Sequence, residues 1–276
     1  MKKIKVLIAC FAVLLMYTPS YAGSIFISGH DPIWHSKYGL NSAGGANLAT
    51  TSIEYSRNGS TLPFLFVESN DSVPVGNDYE APLLTSRLGY VATDFLRADI
   101  SVLSSFADFR SELNNFSAIV VASDHGGMLS FDELQFLNNH SGDIISYLNA
   151  GGGLTAFAES NAQGLLGAEQ PFGFLPFLVS STTFHAVEVG NTVTPFGASL
   201  GLVDSDVNGN VSHNYFTSTG GMTPVDLYNG DTAMPLSLAF SGPISTGGVE
   251  VPEPSTLLLL GSGILGLGFA GRRRRG

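Results

Sequence analysis

Cysteine is almost absent from the sequence. The single cysteine is Cys10, so no thiol follows it along the chain. Beyond this residue the chain forms no intramolecular disulfide, no thiolate metal site and no cysteine nucleophile. Its stability must therefore come from an ordinary hydrophobic core, for which the roughly 230 residues between the two ends of the chain are sufficient.

Basic residues are also scarce. The chain has 12 lysines and arginines against 23 acidic residues, which gives a formal net charge of -11, and none of the 12 lies between Arg110 and Arg272. So acidic a body repels nucleic acid and anionic lipid, and it favours solubility and divalent cations. We therefore expect no nucleic-acid partner. An acidic composition is also typical of secreted surface proteins in general, whatever they bind.

Long hydrophobic runs are missing, and the short ones lie at the two ends. Three lysines precede the apolar segment Val6–Met16, which is shorter than the ~20 residues of a spanning helix. Small residues then precede a cleavage site between Ala22 and Gly23, so residues 1–22 are predicted to be a signal peptide for the Sec translocon. In the alternative interpretation Leu7–Cys10 is a lipoprotein box, although the apolar run continues beyond Cys10.

The C-terminal apolar segment, Leu257–Ala270, is followed by the arginine cluster Arg272, Arg273, Arg274 and Arg275. As a helix it spans about 21 Å, against about 30 Å for the hydrocarbon core of a bilayer. Each arginine costs about 3 kcal/mol at mid-membrane, so the cluster stays on the cytoplasmic side. The segment is predicted to be a short apolar helix that stops transfer through the inner membrane temporarily. A plain membrane anchor is the alternative.

Residues 251–276 also resemble a known sorting signal. The order of Val251–Thr256 with its Pro252, Glu253 and Pro254, then a glycine-interrupted apolar helix, then arginines, is that of the PEP-CTERM signal of Gram-negative bacteria. The resemblance implies recognition by an exosortase, an integral-membrane cysteine transpeptidase that cuts near the Pro-Glu-Pro. It further implies transit through the inner membrane and delivery to the cell surface or to an extracellular matrix, such as one of exopolysaccharide.

Between the two ends, the pattern predicts two parts and a linker. Over residues 23–180, apolar strands alternate with helices, which predicts an α/β domain with a mainly parallel sheet. The clearest strand is Ala118–Ala122, and the next helix starts at a capping box of Ser130 and Glu133. Over residues 181–240 helix signals vanish and a β-rich extension is predicted. Residues 241–250 read as a linker.

The body resembles a second family. The runs "NFSAIVVASDHGG" and "SYLNAGGGLTAFAES" are similar to class I glutamine-amidotransferase-like domains, including ThuA-like domains. The resemblance implies a flavodoxin-like fold, in which the strand after the glycine turn bears the reactive residue at its tip. Here that position falls on Ala158 or Glu159, so the chain has neither a cysteine nor a histidine there. The resemblance thus implies the fold without amidotransferase or peptidase chemistry.

Polar residues follow several predicted strands. His30 and Asp31 come after the first strand, Asp124 and His125 after "AIVVA", and Glu159 after the strand that follows the glycine turn. Ligands of open parallel sheets bind at the carboxyl ends of the strands, so these side chains are candidates for a divalent-metal or hydrolytic site. In the alternative interpretation they cap helices and close turns.

A single loop carries the pattern of a calcium ligand set. Asp204, Asp206, Asn208 and Asn210 alternate around a glycine, as in the first half of an EF-hand loop. Tyr215 stands where the bidentate glutamate belongs, and no helix signals flank the loop. Ca²⁺ is the cofactor that this loop predicts, provided that distant carboxylates complete the shell. Such clusters also form ordinary turns.

The remaining histidines show no metal-ligand spacing. His140, His185 and His213 are scattered and are predicted to be structural or solvated, while His35 with Trp34 is expected to line a pocket or the core. The sequence therefore favours an exported, exosortase-sorted protein whose α/β body is a non-catalytic binding or structural domain. The alternative is a hydrolase that uses a metal or an activated water at the strand ends.

Overall fold

The structure is a computed structural model that describes residues 23–69, 79–124, 128–159, 171–175, 179–187, 189–209 and 211–244. All of them lie in one compact unit, Tyr21–Ile244. Several predicted features lie outside the described residues: the predicted signal peptide, the C-terminal segment with its predicted apolar helix 257–270 and its arginines, most of the predicted linker, His125 and Asn210. Within the described ranges, no helix combines the length and the apolar character needed to cross a bilayer.

Eight strands form the main sheet, in the order β3-β2-β4-β5-β1-β10-β9-β7, and β6 and β8 pair separately. The strands are β1 Gly23–Ser28, β2 Phe64–Val67, β3 Phe95–Ala98, β4 Ala118–Val121, β5 Gly153–Phe157, β6 Ser180–Val187, β7 Thr192–Val193, β8 Val211–Ser218, β9 Thr223–Leu227 and β10 Pro235–Gly242. The first five pair in parallel, whereas β10, β9 and β7 add antiparallel strands beyond β1.

Helices cover both faces of the parallel strands. They are α1 Pro32–Tyr38, α2 Ser42–Arg57, α3 Ala81–Ser86, α4 Ile100–Leu103, α5 Phe109–Leu113, α6 Phe131–Asn139 and α7 Ser141–Asn149, and α8 Pro195–Ser199 follows β7. One core cluster packs α1, α2 and α3 on β2 and β4, and another packs α4 to α7 on the opposite face. Helix α6 starts at the predicted capping box of Ser130 and Glu133.

The predicted α/β class with a mainly parallel sheet is confirmed, and antiparallel strands follow it along the chain. The flavodoxin-like assignment is not confirmed. In that fold the order is 2-1-3-4-5, with the first strand between the second and the third. Here β1 instead pairs with β5 and β10, because the connection after β1 crosses two strands before β2. The predicted domain boundary at residue 180 stays a prediction. Strand β10, which lies beyond that boundary in the chain, joins β1 in one sheet.

One glycine decides how the second sheet meets the first. A Cβ at Gly29 would lie 1.8 Å from the carbonyl oxygen of Asn214, so only glycine lets β8 approach the end of β1 this closely. The amide of His213 donates to the carbonyl of Gly29 at 2.9 Å, and His30 forms a bridge with Ser212. Strand β8 therefore crosses the carboxyl end of β1, where the polar residues begin.

Candidate functional site

Among the described residues, five carboxyl groups lie buried at the carboxyl edge of the parallel strands. Asp31 follows β1, Glu68 follows β2, Asp124 follows β4, Glu159 follows β5, and Glu80 precedes α3; none is more than 1% exposed. The connections after β2 and β4 leave in opposite directions, which makes this edge the switch point where parallel sheets bind ligands. The edge therefore lies where parallel sheets bind ligands, and it is rich in buried acidic side chains.

Glu68 has a structural role at this edge. Its carboxylate accepts the backbone N–H groups of Glu80 and Ala81 at the start of α3, and its Oε2 lies 2.8 Å from Nε of Arg97. Burial raises the pKa of Glu68, while the N–H donors and Arg97 lower it. This carboxylate thus caps a helix and has a basic partner.

Asp31 and Glu80 instead face each other. Burial raises the pKa of Asp31 to about 6, and the hydrogen bond from Glu80 opposes that rise only in part. The pKa of Glu80 lies well above its usual value, because of burial first and then the negative charge of Asp31. Two carboxyl groups in contact cannot both ionise cheaply, so the pair holds a proton or requires a cation.

Asp31 also lies beside two imidazoles. It precedes α1, and His35 follows one helical turn later, with its amide 3.1 Å from the carbonyl of Asp31. Strand β8 brings His213, whose ring stacks on that of His35 at 6.0 Å between centroids. One ligand atom from each of Asp31, His35 and His213 lies within 4.8 Å of the other two. Two imidazole nitrogens and a carboxylate oxygen form a donor set that transition metals accept.

His30, a predicted site residue, forms a separate pair. Its Nε2 lies 2.7 Å from Oδ2 of Asp226 on β9, and both side chains are buried. The amide of His30 donates to Oγ of Ser28, which itself contacts Oγ of Ser237. This network connects the parallel half of the sheet to the antiparallel half.

Asp124 and Glu159, also predicted, are neighbours at the tips of β4 and β5. The amide of Asp124 donates to the carbonyl of Ala158 at 3.2 Å, and the amide of Phe172 donates to Oε2 of Glu159. Burial raises the pKa of Glu159 well above its usual value, and the charge of Asp124 raises it further. The structure therefore brings these two acids together, while their predicted companion His125 lies outside the described residues.

The loop predicted to bind calcium forms a 3-10 turn over Asp204–Val207. Oδ2 of Asp206 accepts hydrogen bonds from the amide of Val203 and from Nδ2 of Asn47, at 2.9 and 2.8 Å. Oδ1 of Asp204 accepts the amide of Val193, and Oδ1 of Asn208 accepts that of Asn191. One side-chain oxygen of each of Asp204, Asp206 and Asn208 thus has a donor within the fold, and the calcium site stays a prediction.

Comparison with known proteins addresses the tail rather than this edge. Residues 250–275 match the family model of the PEP-CTERM protein-sorting motif. The chain carries an exosortase sorting signal. The match includes the predicted Pro252, Glu253 and Pro254 and supports export with transit through the membrane. No curated protein matches the chain.

Sequence reasoning missed three members of this edge: His35, Glu80 and His213. The Asp31–His35 spacing of four residues at a helix start is a signal that puts both side chains on one face. His213 has no local signal, because β8 reaches Asp31 only through the close approach at Gly29. Glu80 lies in no sequence pattern that would mark it as a site residue.

Proposed function

We propose that this protein is an exported, exosortase-sorted binding protein whose α/β body takes up a cation at the carboxyl edge of its parallel strands. The observation that carries the proposal is the contact of the buried Asp31 and Glu80 carboxyls beside two imidazoles. Glu68 and Asp226 each meet a basic side chain, whereas Asp31 meets a second acid. Buried charge without compensation costs several kcal/mol, which a bound cation would remove.

The binding role is tested by cation addition to the purified full chain. After chelator treatment, Ca²⁺, Mg²⁺, Mn²⁺ and Zn²⁺ are added singly at neutral pH and the melting temperature is measured. At least one cation is expected to raise it in a saturable way, because a ligand of the folded state stabilises by mass action. Identical melting curves with all four cations would contradict the proposal.

Sorting completes the proposed function. The motif match supports the view that exosortase cuts near Pro252, Glu253 and Pro254 and releases the body to the surface or to a polysaccharide matrix. Intact mass and cell fractionation of the native protein are expected to show a body without either end outside the cell. Deletion of the three residues is expected to retain the chain in the inner membrane. If the wild-type protein is found at full length in the inner membrane, its C-terminal segment is a plain membrane anchor and not a cleaved sorting signal.

A hydrolase is the second candidate, favoured by the acid pair Asp124 and Glu159. Pairs of acids whose environments differ are the usual source of an acid and a base in one site. In this candidate, Glu159→Gln removes turnover of an ester, amide or glycoside without lowering the melting temperature. A substrate panel without turnover by the wild type, with and without added metal, would reject it.

A further inference from the structure

We infer that the cation is a divalent transition metal of the Zn²⁺ class, held by Asp31, His35 and His213. This inference rests on the proposed function and names its ligand. Its basis is a juxtaposition made by three separate elements. Asp31 ends the turn after β1, His35 lies in α1, and His213 lies in β8 of the second sheet.

The spacing of the donor atoms suits a small ion. One atom from each side chain lies within 4.8 Å of the other two. Ligand atoms at about 2.0–2.2 Å from Zn²⁺ in a tetrahedron are roughly 3.4 Å apart. The three donors therefore need to close by at most roughly 1.4 Å to bind such an ion.

The donor types select the class of metal. Ca²⁺ and Mg²⁺ take oxygen ligands almost exclusively, whereas imidazole nitrogen suits Zn²⁺ and its transition-metal neighbours. Two of the three donors here are imidazoles. The chain offers no thiolate after Cys10, so a nitrogen and oxygen site is the kind that its composition permits.

The surroundings hold these ligands in place. His213 is 3% exposed and its amide is fixed on the carbonyl of Gly29, while Asp31 is 1% exposed and starts α1. The carboxyl of Glu80 lies against that of Asp31 and acts as a positioning residue. Outer partners of this kind orient metal ligands and raise affinity. The three ligands from the described residues fill three positions of a tetrahedral site, which leaves the fourth for a further ligand.

The test is Zn²⁺ affinity of the full chain, measured by competition with a chromogenic chelator. One equivalent is expected to bind, and His35→Ala and His213→Ala are each expected to weaken binding at least ~100-fold. Glu80→Gln is expected to weaken it about tenfold, within the range for outer partners. His140→Ala is the matched control, because this histidine pairs with Asp143 on another surface; its affinity should equal that of the wild type.

The possible results separate the two proposals. Stabilisation by Ca²⁺ or Mg²⁺ that persists in the double variant Asp204→Ala, Asp206→Ala, without Zn²⁺ binding, would overturn the inference and leave the proposed function intact, whereas no response to any cation would overturn both. Zn²⁺ binding that survives both histidine variants would place the ion elsewhere. If either variant fails to fold, the wild-type protein is loaded with Co²⁺ instead, and its spectra identify the metal ligands. A d–d spectrum and paramagnetically shifted resonances from two histidine rings are expected, and a six-oxygen spectrum would refute the site.

Discussion

Two acidic regions of the body look alike in sequence and differ in what surrounds their oxygens. In the loop Asp204–Val207, Asp206 accepts hydrogen bonds from a backbone amide and an asparagine. At the carboxyl edge, Asp31 meets the carboxyl of Glu80. A carboxylate surrounded by N–H donors stabilises the fold by itself, whereas one that faces another acid stabilises it only with a proton or a cation. The donors, rather than the density of acids, therefore distinguish a structural loop from a binding site.

The pair of His30 and Asp226 shows the same rule at the edge itself. These side chains are as buried as Asp31 and Glu80, yet the 2.7 Å contact joins a base to an acid. The pair also ties β1 to β9 across β10. A buried acidic side chain at this edge can therefore have a purely structural role when its partner is a basic side chain.

The largest effect is expected from breaking this pair. Asp226→Ala leaves the buried imidazole of His30 without its acceptor, which is expected to lower the free energy of unfolding by about 3 kcal/mol. Urea unfolding measures the loss. Asp132→Ala, at an exposed position of α6, is the control and is expected to change stability by less than about 0.5 kcal/mol. Equal losses would show that the pair contributes nothing specific.

The next largest effect is expected in the pH dependence of stability, through the buried carboxyl of Glu159. The folded-state pKa of Glu159 is raised by burial and by Asp124, while the unfolded chain titrates near the usual ~4.3. The contribution of Glu159 is therefore fully present below that pH and is lost as the pH rises towards the folded-state pKa, at about 1.4 kcal/mol per unit of difference. Glu159→Gln is expected to flatten this decline above about pH 4.

Urea unfolding of the full chain in chelator, at several pH values, measures this slope. The exposed Asp132→Asn serves as control and is expected to follow the wild type. Gln keeps a side-chain oxygen for the amide of Phe172, so the variant changes ionisation more than packing. A wild-type slope retained in Glu159→Gln would assign the pH dependence to other groups.

A pair of conservative substitutions compares the two regions directly. Glu80→Gln replaces one of two facing acids, and in the absence of metal it is expected to stabilise the fold by about 1 kcal/mol. Asp206→Asn weakens a carboxylate that two donors satisfy, and it is expected to destabilise by about 1 kcal/mol. Thermal unfolding in the presence of chelator measures whether each variant is more or less stable than the wild type. If both variants change stability in the same direction, the proposed difference between the carboxyl edge and the Asp204–Val207 loop is wrong.

The smallest effect is expected at the predicted calcium loop. If Ca²⁺ binds there, a calcium chelator lowers the melting temperature of the wild type by about 1–2 °C, equivalent to about 0.5 kcal/mol. One side-chain oxygen of Asp204 and the side-chain oxygen of Asn208 already accept hydrogen bonds within the fold, which is why the shift is expected to be small. The double variant Asp204→Ala, Asp206→Ala should lose the sensitivity to chelator. Superimposable wild-type curves would reject calcium in this loop.

Local patterns predicted most of the sheet. The strands β1, β2, β4 and β5 are apolar runs that are fully buried, because helices cover both faces of a parallel sheet. Strand β3, Phe95–Ala98, lies at the edge of the sheet and is only half-buried, so its sequence has no continuous apolar run. It was not predicted for that reason. Strand order also escaped prediction, since pairing partners depend on where each connection crosses.

The sequence by itself determined the sorting signal, the α/β class and the position of Asp31, Asp124 and Glu159 at strand ends. Each of these depends on residues adjacent in the chain, where periodicity and spacing act. Only the tertiary structure decided which polar groups meet: Glu80 against Asp31, Asp226 against His30, and His213 beside His35. These contacts join elements far apart in the chain, and the packing of whole strands fixes them.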